Sequence, residues 1–301
     1  MTDAHHIEAH RIEAEGISAT ISTEGAELVG LRNGADEEFL WQAGPEWPRH
    51  APVLFPIVGR LAGDRLHHEG QDYRLTQHGF ARDRRFEWVE RSPARAVLRL
   101  EDDAATRTLY PFPFRLEMTY TVEAPGTLTV SATIANPGEA VLPFSIGAHP
   151  AFRWPLEPGT PKTRHRIVFE RPERGSRRPV VEGLLGDPAP LPFEGRVLPL
   201  DPALFADDAL VMPALASRSL RYEALGEDGE SVAALDFAFE GYGDLGVWSK
   251  PTGADFLCIE PWRGMASPRG WDGPFTEKPG LVHLAPGASA AFLWRVRLPA
   301  G

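Results

Sequence analysis

The chain is poor in several things that define protein classes. A single cysteine, Cys258, stands in 301 residues, so no intrachain disulfide can form, and a reducing cytoplasmic setting is expected. Positive charge is short, with 31 Lys and Arg against 42 Asp and Glu, a net charge of −11 and a pI of about 5.4. That balance argues against a nucleic-acid partner. No apolar run approaches the ~18 residues that a membrane span needs. The opening "MTDAHHIEAHRIEAEG" is polar and has no apolar signal region, so no membrane partner is expected either. No glycine-rich phosphate loop follows a strand pattern, and neither CxxC nor GxSxG occurs, which weakens nucleotide and serine-hydrolase readings. Helical periodicity is nearly absent; the segment near Asp201–Phe205 offers one turn.

What the chain has in plenty is punctuation. Its 29 glycines and 29 prolines fall between short periodic runs without forming a low-complexity block. In Phe114–Glu123, Leu116, Met118, Tyr120 and Val122 alternate with polar residues; in Thr127–Ala135, Leu128, Val130, Ala132 and Ile134 do the same. Strict period-two alternation with β-branched polar partners predicts half-buried strands, here a hairpin closed by "APG". The pattern recurs at Ala96–Leu100, Ile167–Phe169, Val232–Phe239 and Ala290–Leu298. The fold class expected is therefore all-β, a large antiparallel β-sandwich over residues 1–301 as one domain, with 1–15 a loose N-terminal segment. Residues 171–196, rich in Pro, Gly and charge, read as an excursion over the surface. His5, His6 and His10 do not form an HExxH motif, and no metal site is expected there.

Three stretches break the strand rules. "SIGAHPAF" (145–152) puts His149 among small and apolar residues, before a proline that favours extended backbone. A core histidine satisfied by one hydrogen bond is the plainer explanation. "DFLCIEPW" (255–262) places Phe256, Cys258 and Glu260 on one face and Leu257 and Ile259 on the other. Both faces are apolar, so the strand is central, and a carboxylate there needs a partner, a cleft or a raised pKa, unless it lies at an exposed strand end. "QHGFARD" (77–83) sets His78, Phe80 and Arg82 on one alternating face, and Arg60 follows Gly59 at the end of an apolar run. A turn glycine with solvated arginines explains these equally well. Trp262, Trp154 and Phe152 lie near these groups and suggest an aromatic-lined cleft, although core packing also accounts for aromatics.

"GAEL" (25–28), "LFPIVGR" (54–60), "QHGFARD" (77–83), "GAHPAF" (147–152), "LFADDAL" (204–210), "CIEPW" (258–262) and "EKPG" (277–280) occur in the order seen in aldose 1-epimerases. The chain resembles that family from about residue 16 to 298, and within it the branch of LacX-like proteins and hexose-6-phosphate mutarotases. The resemblance implies a galactose mutarotase-like β-supersandwich with a sugar in an open cleft. It implies catalytic roles for His149 and Glu260 and substrate contacts by His78, Arg60, Arg82 and Asp208, with Asp207 the competitor for the last assignment. "LAGDR" (61–65) replaces the Asn-Arg pair of galactose mutarotases, and "EWPRHAPVLFP" lacks the Arg-Gly-Gly segment of the sugar-phosphate branch. The sugar is therefore left open, phosphorylated or not, as is a monomer or homodimer.

The implied chemistry is anomer exchange by ring opening, with Glu260 as base and His149 as acid and no metal or cofactor. Each group serves as acid and base in turn, which suits pKa values near the working pH. Two rivals remain: a sugar-binding or sensory protein without turnover, and a glycoside hydrolase or lyase. Hydrolysis usually takes a carboxylate pair, and Asp255 and Glu260 fall on opposite strand faces.

Overall fold

The alternating segments form the outer wall of the molecule. In the computed structural model, which describes residues 8–251 and 253–300, nine antiparallel strands make one sheet, and the hairpin Arg115–Glu123/Thr127–Ala135 lies within it. Thr127 pairs with Glu123 and Ala135 with Arg115, so the four apolar side chains of each strand point inward and are buried. Ser289–Arg297 pairs with Thr127–Ala135 on one side and Ser231–Glu240 on the other. Phe292, Trp294 and Val296 are turned in, and Arg295 and Arg297 out.

The inner layer is a second sheet, and it carries the site. Its strands are β1 (Val53–Leu54), β2 (Ile146–Ala148), β3 (Ala151–Arg153), β4 (Leu210–Met212), β5 (Asp244–Trp248) and β6 (Phe256–Arg263). The order is β4-β5-β6-β2-β1, with β3 also on β6, so β6 is central as its two apolar faces predict. Leu257 and Ile259 join the core between the sheets, where Phe152 meets Phe237 edge to face with ring centroids 6.0 Å apart. The opposite face of β6 looks away from that core.

Two irregular segments are more ordered than expected, the described part of residues 1–15 (1–7 lie outside the described residues) and residues 171–196. Ala9–Ala14 is not loose: it pairs along its length with Ile17–Ser22, and Ile12 is fully buried. His10 packs edge-on against Trp88, and its Nε2 lies 3.0 Å from the Ser92 carbonyl; His5 and His6 lie outside the described residues. Residues 171–196 are more than an excursion. Val180–Val181 and Leu184–Leu185 form a small hairpin that folds back over the inner sheet, with Leu185 bridged to Pro268 and Arg178 to Val211. The single turn near Asp201 is present as Pro202–Phe205, capped by the Asp201 side chain accepting from the Ala203 N–H. No helix among the described residues is long and apolar enough to cross a membrane.

Candidate active site

Sheet register brings His149 to Glu260. β2 and β3 are two pieces of one strand path along β6: Gly147 pairs with Trp262 and Ala151 with Cys258. The same register holds on both sides of the gap, so His149 falls opposite Glu260, and directly opposed residues point to one face. The gap exists because Pro150 has no N–H to give; its carbonyl still accepts from the Ile259 N–H at 3.2 Å. On the other side Gly246 pairs with Glu260, and Trp248 with Cys258. A Cβ on Gly147 or on Gly246 would come within 2.6 Å of the Trp262 ring, so the two glycines let the indole lie flat across the sheet.

These groups floor a cavity of about 280 Å³. Its polar wall is Gln77, His78, Arg82, Asp208, His149 and Glu260; Trp47, Trp248 and Trp262 are its aromatic surfaces. Val180, Gly183 and Leu185 of the folded-back hairpin close one side. A larger, shallower depression of about 640 Å³ on the outer sheet, around Arg221, Asp236, Arg295 and Arg297, lacks any buried acid–base pair.

His149 Nε2 lies 3.1 Å from Glu260 Oε2, but the geometry does not align a hydrogen bond, and both His149 Nδ1 and Glu260 Oε2 are buried without partners. Burial raises the Glu260 carboxyl well above the usual carboxylate range, and Asp208 adds to the rise. The Trp262 indole N–H, which closes no aligned hydrogen bond, pulls slightly the other way. Burial also holds His149 well below the ordinary histidine range, and the positive charges of Arg82 and Arg49 push in the same direction. The two groups are thus driven apart, in contrast to the expectation that both titrate near the working pH. The favoured resting state is a pair holding one proton, on Glu260. Trp47 stacks on the His149 ring at 5.0 Å and 27°, and Trp248 meets it edge-on at 6.0 Å, which fixes the imidazole plane.

His78 reaches the cavity by another route than the sequence suggests. Residues 76–83 are a turn and a short helical turn rather than a strand, because His78 and Gly79 both take positive φ, 67° and 70°. Phe80 therefore enters the core while His78 and Arg82 line the cavity. The His78 Nδ1 accepts from the Gly59 N–H at 3.1 Å, which assigns the ring proton to Nε2. Burial lowers the His78 pKa well below its usual value, and His149, Arg82 and Arg49 lower it further, so the ring is a neutral donor. Arg82 donates to the Gln77 carbonyl at 2.8 Å; its Nε stands 3.8 Å from Asp83 and has no hydrogen bond. Asp208, at φ 80°, lines the cavity mouth, and Asp207 does not.

Arg60 does not line the cavity. Its guanidinium makes a two-pronged contact with Asp64, at 2.6 and 3.0 Å, while its stem packs against Gly183. Phe152 and Trp154 are fully buried in the core and contribute no cleft surface. Trp47 and Trp248 supply it instead. Asp255 is exposed and pairs with Lys162 at 2.9 Å, so it gives Glu260 no second carboxylate.

Two motifs that hold no cavity atoms support its walls. Glu27 accepts from the His50 and Ala51 N–H groups at 2.7 and 2.9 Å, anchoring the loop that carries Trp47. Lys278, buried, donates to the Met265 carbonyl at 2.6 Å, next to Ala266 in the cavity wall. Burial lowers its pKa to about 8.

The family model described as aldose 1-epimerase matches residues 8–173. The chain is 28% identical over 285 residues to the chromosomal protein LacX of Lactococcus lactis subsp. lactis, covering 91% of this chain and 94% of that protein. Among solved structures, a galactose mutarotase related enzyme from Lactobacillus acidophilus is 31% identical, with a TM-score of 0.88 over 97% of this chain and 98% of that one. A galactose mutarotase-like protein from Lactobacillus casei is 27% identical, with a TM-score of 0.88 over 97% of this chain and all of that one. With the sequence, the β-sandwich and these likenesses in agreement, the chain belongs to the aldose 1-epimerase family.

Proposed function

We propose that this protein is an aldose 1-epimerase that interconverts the α and β anomers of an unphosphorylated aldose. The observation that carries the reading is the buried His149–Glu260 pair, 3.1 Å apart on the floor of a cavity sized for one sugar ring. As sugar hydroxyls replace water around the pair, the proton shifts from Glu260 to His149. Glu260 then takes the proton from the anomeric hydroxyl while His149 protonates the ring oxygen. The C1–ring oxygen bond breaks, the aldehyde turns about C1–C2, and the ring closes on the other face with both transfers reversed. Protons and charge balance, and the pair again holds one proton. His78 donates from Nε2 to a sugar oxygen, Asp208 accepts from hydroxyls at the mouth, and the indoles meet the C–H faces of the ring.

A phosphate is disfavoured because Arg60 is committed to Asp64 and Arg49 to Asp83, leaving Arg82 the one arginine on the cavity wall. NMR or polarimetric anomer exchange over a panel of free aldoses and their 6-phosphates tests both parts. Exchange is expected on free aldoses, with a lower kcat/KM on each phosphate. A higher kcat/KM on the phosphates would overturn the substrate assignment. Binding without exchange on any sugar would make the protein a sugar binder.

The one-proton pair also predicts an unusual pH profile. A second proton enters only as pH falls toward the depressed value of His149, and the last one leaves only as pH rises toward the elevated value of Glu260. kcat/KM should therefore stay level through the ordinary histidine pKa of about 6.5. Arg82→Met removes a charge that opposes protonation of His149 and should move the acid limb upward. An acid limb at the ordinary histidine value in the unaltered protein would contradict the one-proton pair.

A further inference from the structure

Cys258 lies on the same face of β6 as Glu260, two residues away, and opposite Trp248. One imidazole nitrogen of His149, the Cys258 sulfur and a carboxylate oxygen of Glu260 all lie within 4.8 Å of one another. All three residues are at least nine-tenths buried, and His149 Nδ1 and Glu260 Oε2 have no hydrogen-bond partner. Nitrogen, sulfur and oxygen converging from one histidine, one cysteine and one glutamate are donors that suit a borderline-soft, four-coordinate ion. We propose that this cluster is a binding site for zinc or a zinc-like divalent transition ion, and that the ion occupies the floor of the cavity in place of substrate. The site is argued from ligand geometry alone; only the exclusion of sugar rests on the function proposed above.

The geometry needs modest contraction. Bonds of about 2.0–2.3 Å put neighbouring ligands of a tetrahedral ion roughly 3.3–3.8 Å apart, against the 4.8 Å limit here. His149 Nε2 and Glu260 Oε2 already stand 3.1 Å apart, so the contraction falls on the approach of the Cys258 sulfur, which rotation of the Cys258 and Glu260 side chains supplies while the imidazole plane and the register of β6 stay fixed. A water in the fourth position would face the cavity. Hard ions such as magnesium gain nothing from a thiolate and should not compete.

Charge balance gives the site a signature. The ion binds Cys258 as thiolate, so the thiol proton leaves on binding and affinity should rise with pH. Surface carboxylate–imidazole clusters such as His67 with Asp72 and Asp272 have no thiol proton to release.

Cobalt(II) is the probe for the experiment. Cys258 is the chain's one cysteine, so a sulfur-to-cobalt charge-transfer band in the near ultraviolet can arise from no other residue of a monomeric complex. The expected result is a band that saturates at one cobalt per chain, bleaches when zinc is added, and ignores magnesium. Calorimetry in buffers of different ionisation heat should report proton release on binding. Cys258→Ser and Cys258→Ala should lose the band and bind at least about tenfold more weakly, with folding checked by circular dichroism. On the unaltered protein, zinc should also protect Cys258 from a thiol reagent added under mild destabilisation. Absence of the sulfur band at about tenfold cobalt excess, or a band unchanged by zinc, overturns the proposal without any variant. If the band forms but no aldose weakens it, the metal site stands and the placement of sugar on the same floor is wrong.

Discussion

Glu260→Gln and His149→Asn should each lower the rate of anomer exchange by at least about 10²-fold, the scale of a positioned acid–base group. Each replacement keeps the approximate shape of the side chain and removes its proton chemistry. Because a proton taken at one oxygen must be matched by a proton given at the other, the two residues act as a unit. The double variant should therefore be little slower than the worse single one, and additive losses would mean independent roles. Stability provides a second readout. Burial raises the Glu260 pKa in the folded protein, so folded-state stability associated with this group is full below the ordinary carboxylate pKa. It is lost progressively as pH rises from there toward the elevated value. Glu260→Gln has no such titration, so the variant should gain stability relative to the unaltered protein as pH rises across that window. Loss of turnover together with this gain separates a catalytic role from a structural one. Retention of full exchange in either variant would remove that residue from the mechanism.

Much of this site could be read from residue patterns, and the failures have physical causes. The period-two rule identified β6 as central and put Cys258 and Glu260 on one face, because burial on both faces leaves a distinctive apolar run. The contact between His149 and Glu260 was not readable from spacing, since it depends on which register β2 and β3 adopt on β6. Alternation counted from His149 would have sent Phe152 and Trp154 to the core face, where they lie. The cleft aromatics Trp47 and Trp248 come from a loop and a strand with no motif of their own.

Arg60 had a visible competitor in Asp64, four residues on, and the pair closes within its own turn. The polar composition of residues 171–196 concealed Val180 and Leu185, which were its apolar signal. Strand logic misled at 76–83, because two consecutive residues in the left-handed region break alternation, and only one of them is a glycine. The wall supports Glu27 and Lys278 sit in short motifs whose order pointed to the family, yet their task is to hold loops rather than to touch substrate.

Gly79→Ala should cost at least about 3 kcal/mol of stability, in the range reserved for changes that force backbone apart. Gly79 takes a φ of 70°, and a Cβ there would sit 2.3 Å from the Phe55 carbonyl oxygen and 2.7 Å from Pro56 Cδ. That oxygen already accepts from the Phe80 and Ala81 N–H groups, both at 3.1 Å, so it cannot retreat without breaking the contact that seats the turn. Conformational strain and collision are separable with a second glycine. Gly70 has a φ of 77° and nothing within 4 Å of its would-be Cβ, so Gly70→Ala carries the left-handed penalty alone, roughly 1 kcal/mol. The difference between the two variants in denaturation midpoint measures the collision. Because His78 precedes Gly79 and is held by Gly59 through its Nδ1 and its N–H, displacement of the turn also moves the Nε2 donor. Folded Gly79→Ala should accordingly show a raised KM for the aldose, and Gly70→Ala should not. Equal losses of stability in the two variants would mean that the Phe55–Gly79 approach is looser than its geometry indicates.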